Sequence, residues 1–271
     1  MTSDLPDPPR SSVLPPAPVP ALRPGQPPLA ILVDYDGTIA RTDVSDMLMA
    51  EFVTADWESH VADYDAGRTG SRRLMAWEVG QITADPDALR AKAATQPHDP
   101  SFRPFAERAL AAGIPVEVVS DGFGFFIEPA RAALGVGQLP VVTAATTFGP
   151  DGARIEFPNG NPDCFVCGTC KRNRVLAHQA AGRAVVFIGD GPSDRYAAGY
   201  SDVVFAKESL EQICLAEGWE YRRWTEFSEI DAWLARTLEA FAADSSSLAG
   251  PTHRPLFCGA EVWGPGRFDP A

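Results

Sequence analysis

The stretch LAILVDYDGT, residues 29–38, joins an unbroken apolar run to an acidic turn. Such a run, bounded by a turn signal, reads as a strand buried on both faces. Side chains alternate along a strand, so Asp34 and Asp36 are expected to point the same way at its carboxyl end, where Gly37 lets the chain turn sharply. Two carboxylates side by side repel each other. A divalent cation that prefers oxygen donors, such as Mg²⁺, offsets that repulsion. Taken alone, the same residues also fit an ordinary solvated Asp-Gly turn.

Four more apolar runs follow: PVEVVS (115–120), LPVVTA (139–144), AVVFIGD (184–190) and DVVFA (202–206). Amphipathic stretches lie between several of them, among them FRPFAERALAAG, FFIEPARAALG and KRNRVLAHQAAG, the first two ending at Gly113 and Gly135. The rhythm is βαβ, which predicts an α/β fold: a doubly wound, Rossmann-like parallel sheet whose ligands bind beyond the carboxyl ends of the strands. Residues 42–96 break the rhythm. They hold no strand pattern but several helical ones (VSDMLMAEFVTADW, SRRLMAWEVGQI, PDALRAKAATQ), as expected of a small helical cap inserted after the first strand. The core domain is then 29–41 with 97–243. Residues 1–28 are rich in proline and predict a disordered extension, and 244–271, rich in Gly, Pro and Ser, predict a flexible tail.

With 45% hydrophobic residues the 271-residue chain can bury a sizeable core, and its net charge of −13 disfavours nucleic acid as a partner. A small phosphorylated metabolite needs only a local patch of positive charge. No apolar run is long enough to span a bilayer, and the N-terminal stretch lacks the apolar segment of a signal peptide. An odd count of five cysteines argues against a secreted disulfide framework, so a cytoplasmic protein with reduced thiols is expected. Cys164, Cys167 and Cys170 form a CxxCxxC run. Three thiolates fall one short of a structural zinc site; Asp163, His178 or Cys214 could complete it, or the three could simply fill a tight loop.

Three further segments carry chemistry. The second strand runs into Ser120-Asp121-Gly122, offering a hydroxyl and free N–H groups, although a serine there can equally cap the next helix. Lys171 opens a helical stretch. The fourth strand ends in GDGPSD, residues 189–194, placing Asp190 and Asp194 at a strand end. Each has an ordinary reading; their joint occurrence at strand ends does not.

This order, DxDGT, then an apolar run ending in Ser, then Lys, then GDGxSD, resembles the haloacid dehalogenase superfamily over residues 29–243. The resemblance implies an Mg²⁺-dependent phosphatase. Asp34 would be the nucleophile that becomes an aspartyl phosphate, Asp36 the general acid and then base, Ser120 a phosphoryl donor and Lys171 a charge neutraliser. The metal set would be Asp34, the Asp36 carbonyl and Asp190, with Asp194 holding a metal water or orienting Lys171. Thr38, Asp121 and Gly122 would meet the substrate. The helical insertion resembles the type 1 cap of the phosphoserine-phosphatase-like branch, subfamily IB. The cysteine run and Phe125-Phe126 resemble the methionine-salvage 2-hydroxy-3-keto-5-methylthiopentenyl-1-phosphate phosphatases and the phosphoethanolamine/phosphocholine phosphatases.

The chain also departs from its relatives. Asp121 stands where many relatives have glycine, and Ser193 where phosphoserine phosphatases have asparagine. Asp43 falls where those enzymes place an acid for the substrate amine. Arg68 and Arg72 could close over an anionic substrate group. A phosphomutase, a phospho-Asp signalling or binding module, and a homodimer remain open on these residues.

Overall fold

The computed structural model describes residues 18–161, 164, 166–252 and 258. Most of the predicted N-terminal extension (1–17), most of the predicted tail (253–257 and 259–271) and Asp163 lie outside the described residues.

Seven strands form one sheet: β1 (Leu29–Val33), β2 (Val116–Phe123), β3 (Val141–Gly149), β4 (Gly152–Glu156), β5 (Ala184–Gly189), β6 (Val203–Ala206) and β7 (Arg222–Arg223), in the order β4-β3-β2-β1-β5-β6-β7. All neighbours are parallel except the β3–β4 hairpin. The fold is thus the mostly parallel α/β sheet expected. The hairpin was not foreseen, although its turn, Gly149-Pro150-Asp151-Gly152, carries an ordinary hairpin signal.

Alternation explains the layering. Leu29, Ile31, Val33, Val116, Val118, Val186 and Ile188 point to one face, where Phe102 and Phe105 of α5 (Phe102–Ala111) meet Phe227 and Ile230 of α10 (Phe227–Ala243). Ala30, Leu32, Val119, Val185 and Phe187 point to the other, beneath α7 (Lys171–Ala180), α8 (Arg195–Tyr200) and α9 (Glu208–Glu217). β1 and β5 are therefore apolar on both faces, as their unbroken hydrophobic runs required.

Between β1 and α5 the chain forms α1 (Val44–Phe52), α2 (Trp57–Asp65), α3 (Ser71–Gln81) and α4 (Pro86–Ala93); α6 (Gly124–Ala133) follows β2. Aspartates start three of the four: Asp43 accepts from Asp46 N, Asp56 from Ser59 N, and Asp85 from the amides of Asp87 and Ala88 ahead of Pro86. The single helix expected over 44–57 is two, because Val53 turns extended and Asp56 caps a new start. The insertion leaves and rejoins the sheet through a narrow neck, where Ala40 pairs antiparallel with His98 and Arg41 N donates to Pro97 O at 2.9 Å.

Candidate active site

The strand order places β1 between β2 and β5, so the residues after their carboxyl ends meet at one point. Asp34 is 4% exposed; its Oδ1 accepts from Tyr35 N at 2.7 Å and its Oδ2 lies 2.8 Å from Lys171 Nζ. Lys171 is the first residue of α7 and 2% exposed, and its ammonium also reaches Asp194 Oδ1 at 2.7 Å and Ser193 Oγ at 2.8 Å. Asp194 Oδ2 accepts from the amides of Asp190 and Gly191 at 3.0 and 3.1 Å, so both its oxygens are engaged by protein donors. Asp190 accepts from Thr38 Oγ1 at 2.5 Å.

Carboxylate oxygens of Asp34, Asp190 and Asp194 lie within 4.8 Å of one another, and no other group of His, Cys, Asp or Glu among the described residues converges so closely. The cluster is electrostatically strained. Burial and then the Asp194 charge push the Asp34 carboxyl well above its ordinary range, and the same two causes raise Asp190 to about 7. Burial alone would lower the Lys171 ammonium, but Asp194 and Asp34 outweigh it and hold the proton on. One ammonium faces three carboxylates. An all-oxygen cluster left with excess negative charge fits a hard divalent cation, Mg²⁺ above all.

The Asp36 carboxylate stands apart from this cluster, which corrects the expectation that strand alternation aims it beside Asp34. It lies beyond the strand in a wide turn, 35–39, closed by Ala40 N donating to Tyr35 O at 2.9 Å. Gly37 takes φ 64 there, and a Cβ on it would run into the Asp190 carboxylate. The turn, not strand alternation, aims Asp36, and its carboxylate is not among the converging metal-type ligands. Instead Oδ1 accepts from Val44 N at 3.0 Å, while Oδ2 lies so close over Gly122 that no Cβ fits between them. Burial, followed by the Asp43 charge, raises the Asp36 carboxyl well above its ordinary range. Ser120, fully buried, accepts from Gly122 N at 2.9 Å, which leaves its own hydroxyl proton to donate elsewhere.

Other sequence candidates fall elsewhere. The Asp121 carboxylate is taken up by Ser71 Oγ of α3 and by Thr169 N at 2.5 Å, so it ties the insertion to the loop before α7. Thr38 holds Asp190, as above. Arg68 pairs with Asp63 at 2.6 Å on the surface, and Arg72 donates to Cys164 O at 3.3 Å with its guanidinium 4.9 Å from the Phe157 ring centre. Neither arginine reaches the carboxylate cluster. A zinc site at Cys164, Cys167 and Cys170 is not supported. Burial and then the Asp121 charge raise the Cys167 thiol, opposing the thiolate zinc needs. Of the suggested fourth ligands, Cys214 packs in the apolar layer under α8 and α9, and His178 bonds Glu117 at 3.0 Å.

Sequence reading missed two features. Glu117, 3% exposed within β2, accepts from Arg174 at 2.9 and 2.7 Å and contacts His178, pinning α7 to the strand that ends in Ser120. A lone acid inside the apolar run PVEVVS was the available signal. Tyr64, at the end of α2, is close enough for Asp121, Asp194 and Asp34 to act on its hydroxyl, which burial already raises. It lines a cavity of about 480 Å³ together with Asp65, Thr69, Ser71, Val166 and Ser193.

The profile of the haloacid dehalogenase-like hydrolase family matches residues 31–199. The chain belongs to that family. This hydrolase is 28% identical over 224 residues to the 2-hydroxy-3-keto-5-methylthiopentenyl-1-phosphate phosphatase of Exiguobacterium sibiricum, covering 79% of this chain and 99% of that one. It is 27% identical over 219 residues to the bifunctional enzyme MtnB/MtnX of Bacillus licheniformis, covering 77% of this chain but spanning only 50% of that longer relative. Its fold matches a solved phospho-aspartyl intermediate analogue of phosphoserine phosphatase with a TM-score of 0.60 at 16% identity, over 76% of this chain and 97% of that one. With phosphatases as its relatives, the hydrolase is an enzyme of the phosphatase kind. Among the described residues no helix is long and apolar enough to cross a membrane.

Proposed function

We propose that this hydrolase cleaves the phosphomonoester of a small metabolite through an aspartyl phosphate on Asp34, working in the cytoplasm on a substrate that the cap, residues 42–96, encloses. One observation carries the reading: Lys171 Nζ bridges Asp34 and Asp194 at 2.8 and 2.7 Å beside Asp190, leaving the Asp34 carboxylate buried and charge-paired at the sheet's carboxyl end.

Asp34 attacks phosphorus, and the bond from phosphorus to the leaving oxygen breaks. Asp36 holds the proton that the leaving oxygen takes. Its raised carboxyl keeps that proton available near neutral pH. Once the alcohol departs, Asp36 as a carboxylate accepts a proton from water, which attacks the aspartyl phosphate and frees inorganic phosphate. The Ser120 hydroxyl and Lys171 meet the charge on the transferring group. Bound Mg²⁺, held by Asp34, Asp190 and the Asp36 carbonyl, would supply the remaining neutralisation. Asp194, with both oxygens engaged, orients Lys171.

Candidate substrates are 2-hydroxy-3-keto-5-methylthiopentenyl 1-phosphate, phosphoserine, phosphoethanolamine and phosphocholine. A phosphomutase would need a second phosphate site, and Arg68 and Arg72, the cations suggested for it, are engaged elsewhere. The test is phosphate release from small phosphomonoesters with Mg²⁺. Wild type should release phosphate, EDTA should abolish release until Mg²⁺ is restored, and Asp34→Asn should be inactive. Release by Asp34→Asn at the wild-type rate refutes the mechanism.

A further inference from the structure

Tyr35 stands between Asp34 and Asp36 in the sequence, and the phosphoryl chemistry makes no use of its hydroxyl. The ring is 2% exposed and lies 6.0 Å from Phe126 and 5.9 Å from His98, centre to centre. A buried phenol needs hydrogen-bond partners. Both come from the segment that leads back out of the insertion: Gln96 Nε2 donates to the hydroxyl at 3.1 Å, and the hydroxyl meets His98 Nε2 at 2.9 Å. Burial lowers the His98 pKa and so favours the neutral ring, which can accept the phenolic proton. Burial and then the Asp36 charge raise the phenol, which therefore keeps that proton to donate.

These bonds close a circuit back to Asp36. Gln96, itself buried, accepts from Thr42 Oγ1 at 3.2 Å on the opposite side of the neck. The Thr42 carbonyl accepts from Gly37 N at 3.2 Å, inside the turn 35–39 that aims Asp36. Two residues beyond Thr42, Val44 N donates to Asp36 Oδ1 at 3.0 Å. The pairing of Ala40 with His98, and the bond from Arg41 N to Pro97 O, hold the two neck segments side by side. The Tyr35 hydroxyl thus ties the turn to the returning segment and, through Gln96, to the segment that anchors the Asp36 carboxylate.

We propose, on the phosphatase reading above, that Tyr35 is a positioning residue for the proton donor: through Gln96 and Thr42 its hydroxyl holds the Asp36 carboxyl where it can protonate the leaving oxygen. It touches neither the phosphoryl group nor the leaving alcohol. Its effect falls on esters whose leaving group needs a proton. An alkoxide departs only as Asp36 protonates it, whereas p-nitrophenolate is stable enough to leave without one. The value of kcat/KM covers the steps up to departure of the alcohol, so it separates this proton transfer from the later attack of water.

The test compares kcat/KM for benzyl phosphate and p-nitrophenyl phosphate, two esters of similar size, with Mg²⁺ present. In Tyr35→Phe the benzyl-to-nitrophenyl ratio should fall about tenfold, the worth of one net hydrogen bond. Thr42→Val, at an exposed position, should lower the ratio about threefold and serves should Tyr35→Phe not fold. Asp36→Asn sets the scale and should lower the ratio further than either. A loss of the same size for both esters, the mark of a general structural defect, overturns the proposal. So does a ratio that Thr42→Val or Asp36→Asn leaves at the wild-type value. Turnover of p-nitrophenyl phosphate alone by wild type overturns it too, since no proton donor is then at work. No hydrolysis of either ester by wild type defeats the phosphatase reading and the positioning role with it.

Discussion

Replacing Glu117 with glutamine keeps the side chain's size and removes its charge from the interface between β2 and α7. Burial by itself would raise this carboxyl, but hydrogen bonds from His178 and Arg174 outweigh it and hold it at about 2, against an ordinary 4.5. At about 1.36 kcal/mol per pH unit, that depression corresponds to about 3 kcal/mol of folding stability at neutral pH. The same figure follows from pairing, since removing one partner of a buried ion pair costs about 3–5 kcal/mol.

The pH dependence separates this from a packing effect. A carboxyl held low in the folded state contributes fully above its unfolded value, and that contribution is lost as pH falls from about 4.5 towards 2. We expect Glu117→Gln to unfold about 3 kcal/mol more easily than wild type at pH 7, with the gap narrowing to about 1.5 kcal/mol at pH 3. Urea unfolding followed by tryptophan fluorescence at the two pH values measures it. A gap below about 1 kcal/mol at pH 7, or one that stays the same at pH 3, refutes the reasoning.

Two more substitutions probe the site. Gly122→Ala puts a methyl group into the space occupied by the Asp36 carboxylate and the Ser120 hydroxyl; we expect kcat for phosphate release to fall about 10²-fold through displacement of the proton donor. Ser71→Ala strips Asp121 of its hydroxyl partner across the boundary with the insertion, and thermal melting should show a loss of about 1–3 kcal/mol, the cost of an under-satisfied buried acceptor.

Strand and helix positions were legible because local chemistry decides them. LAILV must be covered on both faces, and an aspartate before an amphipathic run starts a helix wherever that run lies. The convergence of Asp34, Asp190 and Lys171 could be anticipated for a related reason: each ends or begins an element of a parallel sheet, and such sheets bring those ends together. Side-chain engagement was not legible. Asp121 looks available for a substrate until Ser71, from an element far away in the chain, takes one of its oxygens. Arg68 and Arg72 look like anion clamps until Asp63 and the Cys164 carbonyl claim them. Asp36 is aimed by a turn whose shape depends on the approach of Asp190 to Gly37.

The sequence by itself determined the central parallel strands, the helices between β1 and α5 and which candidate groups lie at strand ends, because hydrophobic periodicity, caps and strand ends act over a few residues. Only the tertiary structure decided which charges remain unpaired. Whether Glu117 is buried with a cation depends on a helix and a strand brought together from distant parts of the chain, and the Coulomb energy of a buried group is set by those neighbours.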